Sequence, residues 1–174
     1  MAARHLAQYG YKPSIYYPKE GKKELFQRLK TQLSNLYVPF LSTDSEFTST
    51  LKNTDLIVDA IFGFSFGGPL REPFPGIVSQ LESTKIPVVS VDAPSSWDIQ
   101  TGPPQEGNPG AKFMPQTLVS LTAPKPCVKY FKGRHFLGGR FLTKSILDKY
   151  GLDEPYYPGI DQVVELGVDT EGRL

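Results

Sequence analysis

Cysteine, long apolar runs and an excess of one charge are what this chain has least of. Its 174 residues include one cysteine, Cys127, which excludes an internal disulfide and indicates a reducing compartment. The longest apolar runs are far shorter than the ~20 residues that a membrane-spanning helix needs. A net charge of +1 gives no overall attraction to nucleic acid or to a membrane surface. We therefore expect no nucleic-acid partner and no membrane partner.

The motifs of several enzyme classes are also missing. The two histidines, His5 and His135, lie far apart in the sequence and lack the spacing of metal ligands. No G-x-S-x-G elbow marks a serine nucleophile. Cys127 has no evident histidine partner, which favours a structural role for it. No signal or transit peptide is visible in the sequence.

The apolar pattern predicts an α/β fold in a single domain over residues 1–174. Helices are predicted at 2–9, 24–36, 45–53, 73–83 and 144–150, and strands at 13–17, 38–41, 55–62, 86–91, 117–122 and 162–166. This alternation favours a mostly parallel sheet with helices on both faces. The unbroken apolar run Leu56-Ile57-Val58 indicates a strand that is buried on both faces.

Three of the predicted strands end in residues that can carry chemistry. They are Asp59 in LIVDA, Asp92 and Ser95 in VVSVDAPSSWD, and Lys125 in LVSLTAPKP. Ligands of open α/β sheets bind beyond the carboxyl ends of the strands, so these residues predict one shared pocket. Asp59 suits a cation, a substrate hydroxyl or a turn cap, and we expect its carboxylate at the rim of the sheet. Asp92 suits general acid–base catalysis or local backbone bonding, and Lys125 suits a phosphate, an acid or solvent.

Three glycine-rich or basic segments leave alternatives open. Residues 63–68, GFSFGG, form either an anion-binding nest or a tight turn between strand and helix. Residues 102–112 are interpreted as a plain surface loop in preference to a cover over the pocket. Residues 125–140 carry six basic residues among aromatics, which fits a solvated loop or the wall of a nucleotide pocket better than a nucleic-acid surface.

In their order and spacing, the segments VDAIFGFSF, REPF, VDAPSSWD, SLTAPKP and FKGRHFLGGRF resemble the YjeF N-terminal domain family. Within that family the chain is most similar to the eukaryotic branch of NAD(P)H-hydrate epimerases, over residues 2 to about 166. The resemblance implies a Rossmann-like three-layer α/β sandwich and a homodimer. It also implies an isomerase that interconverts the R and S forms of hydrated NADH and NADPH (NADHX and NADPHX), a cofactor repair step upstream of an S-specific dehydratase.

The same resemblance assigns roles to residues at matching positions. Asp59 and Ser95 would bind one potassium ion per subunit, and Asp92 would contact the substrate. Lys125 matches the lysine that follows the family's Ala-Pro pair and would act beside Asp92. The substrate-binding turn would consist of Gly63, Phe64, Ser65, Phe66, Gly67, Gly68 and Pro69. Family relatives occupy the cytosol and mitochondria, so we expect a cytoplasmic and possible mitochondrial location.

The sequence departs from the family pattern in three places. The family carries a first strand and an Asn-Asn-Gly-Gly-Asp type loop before the segment that matches residues 2–6, so we expect this chain to be N-terminally truncated, without that strand. Pro69 stands where relatives often have aspartate. Ser96 stands where the motif has glycine, which predicts a strained turn. An alternative hypothesis, favoured by the first departure, is a non-catalytic nucleotide-binding or protein-interaction module.

Overall fold

The computed structural model describes residues 1–167, which fall into two compact units, Met1–Thr54 and the chain from Asp55 onward. In the first unit the elements are α1 (Ala2–Gln8), β1 (Ile15–Tyr16), α2 (Glu24–Asn35), β2 (Phe40–Leu41) and α3 (Asp44–Leu51). Strands β1 and β2 pair in parallel. Thr43 begins α3 with a capping box, because its hydroxyl accepts from the N–H of Glu46 while the Glu46 carboxylate accepts from the N–H of Thr43.

The second unit contains a five-stranded sheet in the order β3-β4-β5-β6-β7. Its elements are β3 (Ile57–Asp59), α4 (Phe74–Ser83), β4 (Val88–Val91), β5 (Thr117–Leu121), a 3₁₀ helix (Pro126–Tyr130), β6 (Arg134–Gly138), α5 (Lys144–Tyr150) and β7 (Val163–Leu166). Strands β3 to β6 are parallel, and β7 pairs with β6 in the antiparallel direction. The predicted α/β class and mostly parallel sheet are confirmed.

Two apolar clusters form the core of this second unit. Leu81 of α4 packs with Val88 and Phe113, and Trp97 packs with Ala93 and Cys127. The Trp97 indole is almost wholly buried, and its N–H donates to the carbonyl of Phe113 at 3.1 Å. This contact satisfies the one polar group of a large buried ring and ties the turn after β4 to the start of the β5 segment.

The prediction that β3 is buried on both faces is wrong. Leu56 is 50% exposed and Val58 is 39% exposed, whereas Asp59 is 2% exposed. Among residues 1–167, β3 is the edge strand of this five-stranded sheet, because β4 is the one strand that pairs with it. A continuous apolar run does not distinguish a central strand from an edge strand, because the difference depends on which strands pair.

Of the two interpretations of residues 125–140, the solvated loop is wrong, and the wall of a nucleotide pocket stays a prediction. The segment forms the 3₁₀ helix and β6, and it buries Cys127, Val128, His135 and Leu137. Alternating burial along β6, with His135 and Leu137 inward and Arg134 outward, is a strand pattern that the basic residues obscured. Arg134 pairs with Glu165 of β7 through two hydrogen bonds of 2.8 and 3.0 Å.

Residues 102–112 form turns between β4 and β5, as expected for a loop. The loop is nevertheless anchored at both ends. Asp98 and Gly102 exchange backbone hydrogen bonds at one end. At the other end, the Glu82 carboxylate of α4 accepts from the N–H groups of Gly110 and Lys112 at 3.3 and 2.5 Å. Across residues 1–167, the helices are all too short or too polar to cross a bilayer.

Candidate active site

The predicted residues meet at one edge of the second unit's sheet. Asp59 is the last residue of β3, Asp92 follows β4 directly, and Lys125 follows β5 after a short turn. Because β3, β4 and β5 are parallel neighbours, their carboxyl ends lie side by side. The structure joins these residues into two hydrogen-bonded groups, one centred on Asp59 and one on Asp92.

The first group is built around the Asp59 carboxylate. Its Oδ2 accepts from the Ser90 hydroxyl at 2.7 Å and from the Ser95 N–H at 2.9 Å. Its Oδ1 accepts from the Ser95 hydroxyl at 2.5 Å and, at 3.4 Å, from the N–H of Ile61. Four donors thus occupy the roughly four acceptor positions of a carboxylate. This arrangement holds the turn after β4 against the end of β3.

Asp59 lies deeper than the sequence indicated. We expected its carboxylate at the rim, but it is buried beneath the turn that carries Ser95. Burial raises the pKa of Asp59, and the hydrogen bonds from Ser95 and Ser90 oppose that shift. None of the ion pairs among the described residues includes Asp59, so protein cations do not balance its charge.

The second group is an ion pair between Asp92 and Lys125. The Lys125 ammonium donates to Asp92 Oδ1, to the carbonyl of Leu121 at 2.7 Å and to the carbonyl of Ala123 at 3.0 Å. An ammonium has three N–H donors, and these three acceptors engage all of them. Of the partners considered for Lys125, the structure therefore shows an acid, with no donor left over for a phosphate.

The glycine-rich turn after β3 supplies the other support for Asp92. The backbone N–H of Phe64 donates to Asp92 Oδ2 at 2.7 Å. A Cβ atom at Gly63 would lie 2.8 Å from the same oxygen, closer than real Cβ contacts allow. Glycine at position 63 thus lets the turn approach the carboxylate closely enough for the Phe64 bond. The two oxygens of Asp92 are each held by one donor, and the residue remains 8% exposed.

The rest of the turn lies open to solvent. Phe64 is 72% exposed although its N–H is engaged, and Ser65, Gly67, Gly68 and Pro69 are also exposed. Phe66 is partly buried and packs its ring against Phe62, with a centroid distance of 4.4 Å. The segment is therefore a turn anchored at Phe62 and Phe66, with an accessible surface beside Asp92. The assignment of residues 63–69 to substrate binding stays a prediction.

Left-handed backbone conformations accompany the turn after β4. Asp92 has a φ of +73° and Ser96 a φ of +82°, values that favour glycine. The strain predicted at Ser96 therefore exists. The Ser96 hydroxyl is also buried with no hydrogen-bond partner among the described residues. Asp92 has the same left-handed backbone but lies at the centre of the candidate site, the kind of place where backbone strain concentrates.

Sequence reasoning missed some contributors to this site. Ser90 donates to Asp59 from the neighbouring strand, and its signal was a polar residue at a fully buried position of β4. The carbonyls of Leu121 and Ala123 accept hydrogen bonds from Lys125. Every residue has a main-chain carbonyl, so the sequence does not show which carbonyls take part. No group of three or more His, Cys, Asp or Glu residues is placed to hold a metal ion anywhere in residues 1–167.

A buried pair lies on the next strands of the sheet. The Ser120 hydroxyl of β5 and His135 Nε2 of β6 are 2.9 Å apart. Burial, together with the nearby positive charge of Lys125, lowers the pKa of His135. Cys127 is buried beside Trp97, and its burial raises the thiol pKa from 9.0 to about 11. Both groups stay uncharged at neutral pH, which fits packing roles.

Comparisons with known proteins agree with this architecture. The family model described as YjeF-related protein N-terminus matches residues 1–127. An Aspergillus fumigatus protein named NAD(P)H-hydrate epimerase is 75% identical over 174 residues, covering all of this chain and 70% of that protein. A protein of the same name from Schizosaccharomyces pombe is 54% identical over 168 residues, covering 95% of this chain and 69% of that protein.

A solved structure agrees at the level of the fold. The crystal structure of yeast ynu0 superposes with a TM-score of 0.86 at 42% sequence identity, covering 95% of this chain and 70% of that one. The resemblance inferred from the motifs is thereby confirmed. The chain belongs to the family of YjeF-related protein N-termini.

Proposed function

We propose that this protein is an NAD(P)H-hydrate epimerase, an isomerase that interconverts the R and S forms of NADHX and NADPHX. Its relatives at 49–75% identity carry that name. The observation that carries the proposal is the Asp92 carboxylate, held between the Phe64 N–H and the Lys125 ammonium beside an accessible turn. One carboxyl group in a fixed position is what a reaction needs when a proton is first given and then taken back.

The reaction inverts the carbon that bears a hydroxyl next to the ring nitrogen of the substrate. Asp92, which takes a proton from the Lys125 ammonium that it contacts, donates it to that hydroxyl, the C–O bond breaks, and water leaves with the electron pair. The lone pair of the ring nitrogen forms a C=N bond, which gives an iminium cation. Water then adds to the opposite face and returns one proton to Asp92. No electrons are gained or lost, and the proton count closes.

The surroundings of Asp92 suit both halves of this cycle. The ionised carboxylate that remains after proton donation lies beside the cationic intermediate and stabilises it electrostatically. Phe64 and Lys125 each hold one oxygen, so the carboxyl group keeps its orientation between the two proton transfers. The low exposure of Asp92 limits competing solvent and strengthens these interactions.

The proposal includes a potassium ion bound by Asp59 and Ser95. Carboxylate and hydroxyl oxygens are hard ligands that suit such a cation, and no cation of residues 1–167 forms an ion pair with Asp59. Asp59 and Ser95 would hold the ion through their side-chain oxygens, with the Ser95 hydroxyl hydrogen turned away from the carboxylate that it now contacts. The bound ion would supply positive charge that compensates the buried carboxylate.

The acid–base role is tested with Asp92→Asn, which keeps the side chain's size and its acceptor for the Phe64 N–H. Purified R-NADHX is incubated with the protein, and the S form is followed by chromatography. We expect the variant to lose at least about 100-fold in rate, the lower end for loss of a general acid–base group. Asp148→Asn, the same change at an exposed residue of α5, serves as the control and retains activity. Epimerisation by Asp92→Asn at the wild-type rate would contradict the assignment.

The potassium site has a readout besides activity. Thermal unfolding is measured in potassium chloride and in choline chloride at equal ionic strength. We expect potassium to raise the melting temperature of the wild type and to leave that of Asp59→Asn unchanged. Equal melting temperatures of the wild type in the two salts would remove potassium from the proposal. The homodimer implied by the sequence resemblance stays a prediction, which sedimentation of the whole chain would check.

A further inference from the structure

A strained residue stands at the end of β5, one strand away from Asp92. Thr122 follows β5 directly and has a φ of +69°. A β-branched residue in this left-handed region is a genuine outlier, because its Cβ substituents crowd the backbone. Such strain persists where the surrounding structure imposes it, and it concentrates at functional sites.

Thr122 occupies the same turn position on β5 that Asp92 occupies on β4. Each residue donates its N–H to the next strand of the sheet, Asp92 to Val119 at 2.8 Å and Thr122 to Gly138 at 3.1 Å. Each is followed by an Ala-Pro pair, and each alanine N–H donates back to the last residue of the strand, at 3.0 and 2.8 Å. The sheet edge thus presents two copies of one turn, with Asp92 at the head of the first and Thr122 at the head of the second.

The contacts of Lys125 place Thr122 beside the ion pair. The two carbonyls that hold the ammonium, those of Leu121 and Ala123, belong to the residues on either side of Thr122. The left-handed turn at Thr122 therefore shapes the backbone that directs both carbonyls to Lys125, while the same ammonium binds Asp92. Thr122 lies within a few bonds of the groups that position the proposed acid–base carboxylate.

The side chain of Thr122 has no role in folding that the described structure shows. Glycine would adopt this backbone without strain, so the turn itself does not require a threonine. The residue is exposed, and its hydroxyl has no hydrogen-bond partner among residues 1–167. A strained side chain with a free hydroxyl at the edge of the site is placed to contact a ligand.

We propose that Thr122 is a further substrate-contacting residue, whose hydroxyl hydrogen-bonds the carboxamide of the hydrated nicotinamide ring. This inference rests on the proposed function, because it takes the substrate from there. Asp92 acts on the ring hydroxyl, which leaves the carboxamide as the remaining polar substituent of the ring. A carboxamide offers both a donor and an acceptor, and a neutral hydroxyl matches either.

The test compares three variants at this position. Thr122→Val keeps the β-branched shape and removes the hydroxyl, Thr122→Ser keeps the hydroxyl, and Thr122→Gly removes both the side chain and the strain. Thr31→Val, at an exposed position of α2 where the hydroxyl bonds its own helix, is the matched control. For each protein we measure kcat and KM for R-NADPHX, binding of NADPHX by calorimetry, and the melting temperature.

We expect Thr122→Val to bind NADPHX about 2- to 10-fold more weakly, as the loss of one neutral hydrogen bond predicts. KM rises by the same factor while kcat changes little, because the contact is made equally in ground and transition states. Thr122→Ser stays near the wild type, and Thr122→Gly is more stable but binds as weakly as Thr122→Val.

Two results would overturn the inference, and they differ from failure of the proposed function. Thr122→Val with wild-type binding and KM shows that the hydroxyl makes no contact with the substrate. Weakened binding by Thr122→Ser and Thr122→Val alike, together with a lowered melting temperature, shows that the residue acts only through the fold. A wild-type chain that neither binds nor epimerises NADPHX overturns this inference and the proposed function together.

Discussion

Gly63→Ala adds one methyl group at the point where the turn after β3 meets Asp92. Gly63 does not have a positive φ, so alanine fits its backbone and the substitution tests only the space around the Cβ atom. The added Cβ would lie 2.8 Å from Asp92 Oδ2, whereas ordinary contacts begin at 3.4 Å. The oxygen or the turn must therefore shift by about 0.6 Å, the difference between these two distances.

That shift is large compared with the tolerance of a hydrogen bond. The Phe64 N–H lies 2.7 Å from the same oxygen. A movement directly away lengthens the bond to about 3.3 Å, beyond the usual range for N–H···O contacts. Hydrogen bonds to charged groups stabilise by roughly 1.5–3 kcal/mol, which corresponds to a rate factor of about 10 to 100 if the bond is lost in the transition state. The Lys125 contact resists rotation of the carboxylate, so simple relief is blocked.

The assay is kcat/KM for epimerisation of R-NADHX, together with the melting temperature. We expect Gly63→Ala to lose about 10- to 100-fold in kcat/KM while remaining folded. Gly76→Ala is the matched control, because its Cβ would meet no atom within 4 Å and the residue lies on the exposed side of α4. A Gly63→Ala protein within twofold of the wild type would refute the reasoning that close approach of this turn positions Asp92.

Three further predictions concern stability and the loop after β4. Ser96→Gly removes a left-handed serine whose buried hydroxyl has no partner within the described part of the chain, so we expect the free energy of unfolding in urea to rise by about 1 kcal/mol. An unchanged value would contradict this account. The folded Cys127 thiol holds its proton to about pH 11 while the unfolded thiol ionises near 9.0, so its contribution to stability is complete below pH 9 and is lost as pH rises toward 11. In Cys127→Ala, the free energy of unfolding measured by chemical denaturation should depend less on pH between 9 and 11. An equally steep pH dependence in the variant would show that another group causes it. Glu82→Ala frees the N–H groups of Gly110 and Lys112, so limited proteolysis should cut within residues 102–112 sooner than in the wild type; equal cutting times would show that the carboxylate does not anchor the loop.

Local patterns were enough to place most of the helices and strands. The spacing of Leu25, Leu29 and Leu33 predicted α2, and the proline-led segment 73–83 contains α4. The last predicted strand, residues 162–166, is β7. These elements depend on the periodicity of apolar residues and on capping, which are properties of neighbouring residues in the chain. The single-domain interpretation of residues 1–174 stays a prediction.

The sequence by itself determined which residues end the parallel strands, and therefore which side chains reach one edge of the sheet. Asp59, Asp92 and Lys125 were identifiable because each follows an apolar strand, and parallel neighbours bring such ends together. The glycine-rich turn and the serine at position 96 were likewise visible as local signals. The substrate of the proposed reaction was indicated by the family resemblance, which extends over most of the chain.

Only the tertiary structure decided which of these groups bind each other. Lys125 reaches Asp92 across 33 residues, the Phe64 N–H reaches it across 28, and Ser90 reaches Asp59 across 31. Strand pairing, which is nonlocal, also made β3 an edge strand among the described residues and buried His135 and Leu137 of the basic segment within β6. Hydrogen-bond partners depend on distances of about 3 Å between distant parts of the chain. The periodicity of apolar residues indicates which face of each helix or strand is buried. It does not indicate where that element lies against its neighbours in the fold.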